Sequence, residues 1–170
     1  MTKVRILTTT AVMCALATSP LFVAPALATP AHGFAPSPIV NGTFGTLNIN
    51  EGGHNSHWGL LLKTTGSTDL GADRLTVQPG GSSGWHAHPG EVFVTVTQGS
   101  IIWYNGSDSL CPGTTYNAGD SFIEPVLGIH NVKNASTTAG AEFIAITIKP
   151  SGFVGPAFRL DRAKPNNCGF

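Results

Sequence analysis

Two histidines stand two residues apart in Gly84-Trp85-His86-Ala87-His88-Pro89. On a β-strand alternate side chains project from the same face, so both imidazoles can aim at one point. An acid, Glu91, follows closely, and a third histidine, His130, lies downstream with Asn134 four residues beyond it. Convergent imidazoles suit Mn, Fe, Zn, Ni or Cu, and a three-histidine site keeps a coordination position for water or a small molecule. The sequence shows no Ser-His-Asp arrangement, no phosphate loop and no nucleotide fingerprint. The remaining histidines carry less. His54 and His57 are spaced to share a helix face, but Gly52-Gly53 and Asn55-Ser56 place them in a loop, and His32 sits near the start of the mature chain. Asp120 and Glu124 flank a strand and read as surface or capping acids, with Glu124, beside Pro125, a remote candidate for a pocket acid.

The elements that must position these residues are short. Leu60–Lys63, Arg74–Gln78, Val92–Thr97, Ile101–Tyr104, Phe122–Ile123 and Phe143–Ile148 are strand-like runs, each closed by Gly, Pro, Asn or Ser. Asn105-Gly106 is a strong hairpin-turn dipeptide. No stretch holds a helical period over three turns, and there is no internal repeat. Strands of four to seven residues with turns between them predict an all-β barrel or sandwich. Trp85, Phe93, Trp103 and Phe122 read as core or barrel-mouth aromatics, and Val94, Val96 and Ile144 as cavity lining. Val92, Val94 and Val96 form one face, which sets Glu91 with Phe93 on the other unless Pro89-Gly90 makes a bulge that re-aims it.

The flanks of the histidines form two spaced patterns. Gly80, five residues, His86-x-His88, an acid and Gly99 make the first. Gly119, five residues, Pro125, His130 and Asn134 make the second. Together they resemble the two motifs of the cupin superfamily, over about half of the chain. The resemblance implies an antiparallel jelly-roll β-barrel with one divalent metal held by His86, His88 and His130, and by the acid of the first motif. Glu91 is that acid, one residue short of the usual spacing; counting back from Gly99 lands on Val92 instead. A three-histidine site completed by water is the favoured expectation. In the second motif Leu127 occupies the place of a glycine, and Gly128 follows it. Oxidoreductase, decarboxylase and isomerase chemistry all occur on the family's scaffold, so an enzyme acting on a small molecule and a non-catalytic ligand- or metal-binding protein both remain open.

The chain's start frames where this happens. Lys3 and Arg5 precede an apolar run broken by Pro20 and Pro25 and ending in Ala26-Leu27-Ala28, the pattern of a secretory signal peptide over residues 1–28. The reading is then an extended N-terminal arm over 29–58, a barrel over 59–150 and a tail over 151–170, in a protein that is extracellular or periplasmic after cleavage. The arm could pack on a neighbouring subunit of a homodimer, as cupin dimers often arrange. Cys111 and Cys168 remain in the mature chain, and an even pair in an oxidising compartment predicts a disulfide. Nine basic and nine acidic residues balance. That balance gives no footprint for nucleic acid or an anionic membrane.

Overall fold

The computed structural model describes residues 28–52, 58–153 and 158–170. The signal-peptide reading over 1–28 therefore falls almost wholly outside the described residues, as do His54 and His57. Twelve strands follow in order: β1 His32–Phe44, β2 Asn48–Gly52, β3 Gly59–Lys63, β4 Thr68–Ser82, β5 His86–Ala87, β6 Glu91–Gln98, β7 Ser100–Asn105, β8 Thr114–Asn117, β9 Ser121–Glu124, β10 His130–Asn134, β11 Ala141–Pro150 and β12 Leu160–Asp161. All pairings are antiparallel.

Ten strands form one sheet that doubles back on itself as a nearly closed barrel. One wall runs β1-β4-β11-β6-β9, and the other runs β8-β7-β10-β5-β12. They join where Lys133 pairs with Ser82. Strand period explains what fills the space between them. Val92, Val94 and Val96 are buried, while Phe93 between them is 40% exposed. On β11, Phe143, Ala145 and Thr147 turn inward and Ile146 outward. Ile144 is thus on the outward face of β11, and the inward residues are its odd-numbered neighbours. The core joins these to Leu75, Val77, Ile101 and Val132 from both walls.

The residues read as an extended arm supply β1, which pairs along nearly the whole of β4. β2 and β3 make a separate hairpin. The tail is likewise built in. β12 pairs with β5, placing Leu160 opposite Ala87 and Asp161 opposite His86. The Cys111–Cys168 disulfide is formed, with Cα atoms 5.3 Å apart. It lies beside the fully buried Trp85 in a second small core with Tyr104 and Ile129. Phe170 stacks on Trp85 and meets Tyr104, with the Lys133 ammonium 3.8 Å from its ring centre.

Asn105-Gly106 is a turn but not a two-residue hairpin. Asn105 accepts hydrogen bonds from the Ser107 N–H and hydroxyl, and Asp108 N–H closes on the Asn105 carbonyl. The chain then passes through Cys111 before returning as β8. The Gly106 N–H is instead taken by the Ile129 carbonyl at 2.7 Å.

Candidate metal centre

His86 and His88 flank Ala87 at β5, and His130 opens β10 directly opposite His86. The three imidazoles are buried, with ring centres 4.2 to 5.2 Å apart. One ligating atom from each lies within 4.8 Å of the others.

Each ring is fixed by a backbone carbonyl. His86 Nδ1 lies 2.9 Å from the Gly84 oxygen, His130 Nδ1 2.9 Å from the Gly128 oxygen, and His88 Nδ1 2.7 Å from the Phe158 oxygen. A carbonyl only accepts, so each Nδ1 carries the proton. In a neutral imidazole that leaves Nε2 as a lone pair. Gly84 must be glycine for this to happen. Its φ is +68°, and a Cβ there would lie 2.2 Å from the Thr29 carbonyl oxygen.

The acid that meets these nitrogens is Glu124, which is 4% exposed. Its Oε2 lies 3.3 Å from His88 Nε2 and its Oε1 3.2 Å from His130 Nε2. The second contact has ion-pair distance without hydrogen-bond alignment, and His130 Nε2 is a buried nitrogen with no hydrogen-bond partner. Burial opposes the charge on Glu124, but the neighbouring His130 and His88 outweigh it, holding the carboxyl below the ordinary range. Burial likewise works against a charged His130, yet Glu124 and the Gly128 carbonyl raise its pKa on balance. His86 is pushed well below the ordinary value by burial, and next by the positive charge of His130 and Arg159.

Glu91 stands elsewhere. It opens β6 opposite Ile148, on the face away from Val92, and does not join the three histidines. Val92 does reach the site, and its cross-strand partner is Glu124. Cross-strand partners share a face, so the carboxylate arrives from β9 beside the position where the spacing places a valine. A signal for this was present. In Ser121-Phe122-Ile123-Glu124 the alternation puts Glu124 with the inward Phe122, and Ile123 is exposed. Asp120, by contrast, caps a turn by accepting from the Asn117 N–H.

Above the histidines is a cavity of about 50 Å³, room for a few waters or a small organic group. His86, His88, Glu124, Asp73, Thr147 and Arg159 supply its polar lining, and Phe34, Leu75, Val92, Val132 and Phe143 much of its apolar lining. Trp103 stacks near His130 and meets Phe122 at a tilt.

Residues 73–147 match the family model described as "Cupin domain". This region is a cupin domain. No curated protein matches it. Among solved structures, this cupin is similar to a cupin domain from Bordetella pertussis, at 21% identity over 73% of this chain and 99% of that one, with a TM-score of 0.43. It is also similar to an uncharacterized conserved protein with a double-stranded β-helix domain from Klebsiella pneumoniae, at 23% identity over 56% and 76%, TM-score 0.44. An oxalate oxidase aligns at 25% identity over 46% of this chain and 41% of that one, TM-score 0.41.

The cupin motifs leave marks in the backbone. Asn134, which closes the second motif, donates its side-chain amide to the carbonyls of Val77, Gln78 and Ala139 and ties β10 to the end of β4. Leu127, standing where that motif has glycine, takes a glycine-like φ of +57°. It is the third residue of a turn closed by Gly128 N–H on the Pro125 carbonyl, and its own N–H holds the His88 carbonyl at 2.8 Å. The cupin's C-terminal tail is what motif spacing misses altogether. It brings the Phe158 carbonyl to His88 and Arg159 to the cavity.

Proposed function

We propose that this cupin is an exported protein that holds one divalent transition metal on His86, His88, His130 and Glu124, and acts on a small molecule in the cavity beside it. The observation that carries the reading is the set of three Nδ1–carbonyl contacts. They turn three Nε2 lone pairs toward one buried place, where the Glu124 carboxylate meets those of His88 and His130, and these groups repel one another unless a cation sits among them. A proton on His130 meets that need in part; a metal ion meets it for all four groups. A divalent metal would supply a Lewis acid able to polarise a carbonyl of a small molecule. The chain's own part is to fix the tautomers, keep the site dry with Val92, Phe143 and Val132, and limit the ligand to what the cavity admits. The formed disulfide supports export to an oxidising compartment.

The test is elemental analysis of protein purified without added metal, then offered Mn, Fe, Zn, Ni and Cu salts in turn. We expect about one metal ion per chain with at least one of these, and loss of most of it in His88→Ala. A wild-type protein that retains none after desalting would overturn the reading. Mass spectrometry of the secreted form should give Thr29 as first residue; a retained Met1 would remove the export part.

A further inference from the structure

The cavity holds a second charge that the metal reading does not use. Arg159, from the tail, lines it alongside His86, His88 and Glu124, with only 14% of its side chain exposed. Its Nε donates to the Asp161 carboxylate. Among the described residues no acceptor meets its two terminal nitrogens. Asp73 and Glu124 line the same space, but neither lies within ion-pair distance of it, and Glu124 is engaged by the two histidines. Arginine presents five N–H donors in a planar fork, and here one is used. A guanidinium that is mostly desolvated, in the lining of a small, largely apolar cavity and with its terminal N–H groups unpaired among the described residues, matches the two oxygens of a carboxylate. The apolar walls from Leu75, Val92, Val132 and Phe143 suit a short hydrocarbon part.

We propose that Arg159 is the anion-recognising residue of this cavity and that its ligand is a small carboxylate with an apolar body. The assignment rests on the metal reading of the same cavity and adds the charge and size of what enters it. A purely structural Arg159 would serve only to hold Asp161 and the tail.

The test is calorimetric titration of the zinc-loaded protein with propionate and with its neutral counterpart propionamide, zinc content being measured first in every sample. We expect propionate to bind at least about tenfold more tightly than propionamide. Arg159→Gln should erase most of that preference with zinc content unchanged, and Arg159→Lys should keep part of it. Thermal melting and an intact Cys111–Cys168 link verify that each variant keeps its tail in place; if Arg159→Gln loses it, Arg159→Lys decides, and must fall below wild type. Equal binding of the two probes, binding of neither, or a full preference retained without the guanidinium overturns the assignment while leaving the metal reading intact. A wild-type protein that takes up no zinc or other metal overturns the metal reading. The titration is then run on the metal-free protein, where loss of the Arg159-dependent preference would overturn this proposal too.

Discussion

His86 and His130 are oriented by the chain immediately around them, whereas His88 is oriented from the far end of the molecule. The first two donate to carbonyls two residues back, Gly84 and Gly128. His88 donates to Phe158, 70 residues on. The locally held pair belongs to paired strands and to turns whose geometry follows from glycine and proline. The remotely held ring depends on a tail whose regular pairing is the two-residue β12 and whose anchor is covalent. A site can therefore be half specified by strand alternation and half by tertiary docking, and the two halves should fail under different insults.

Removing the anchor is the strongest way to break this contrast. The disulfide joins residues 57 apart in sequence, a loop for which the chain-entropy account gives about 4 kcal/mol. The double variant Cys111→Ser, Cys168→Ser should lose about that much in urea unfolding and should also bind metal more weakly, because Phe158 moves with the tail. Unchanged metal affinity in that variant, with the predicted loss of stability, would show that the remote carbonyl does not orient His88.

Next in size is a comparison of two acids. Glu124→Gln should weaken metal binding about 100-fold, ~2.7 kcal/mol, whereas Glu91→Gln should leave it unchanged. The reverse order, read by competition with a chelator, would restore Glu91 as the acid of the site.

The smallest effect concerns the local half. Leu127 takes the left-handed conformation at a cost of about 1–2 kcal/mol for a residue with a Cβ. Glycine there gives back part of this as greater freedom in the unfolded chain. Leu127→Gly should raise stability by about 0.5–1 kcal/mol in denaturant unfolding, with metal content unchanged. A loss of stability would mean that the exposed leucine side chain contributes more than its strain costs.

These contrasts also mark what could be read from residues alone. The β-rich fold, the His86-x-His88 pair and the inward valines follow from a period of two, which needs no knowledge of neighbours, whereas His130 came from the resemblance of the second motif. The same period set Glu91 facing away. Glu124 needed one further fact, that β9 lies beside β6 with Val92 opposite Glu124, and pairing of that kind is set by the whole sheet. Phe158 and Arg159 needed more still, since nothing periodic in the tail announces that it returns to β5. Asn105-Gly106 shows the opposite case. A strong local turn signal was kept as a turn, but the disulfide loop and the Ile129 carbonyl claimed its backbone.

The Cys111–Cys168 bond also closes a covalent ring. His130, Glu124 and Arg159 lie inside it, and His86 and His88 lie on the open chain before it. A protease that cuts once between the two cysteines therefore opens the ring without dividing the molecule. The nicked protein keeps one mass without reductant, heavier only by the water of hydrolysis, and separates into two fragments when reduced. Damage to this half of the site can thus pass unseen on a non-reducing gel.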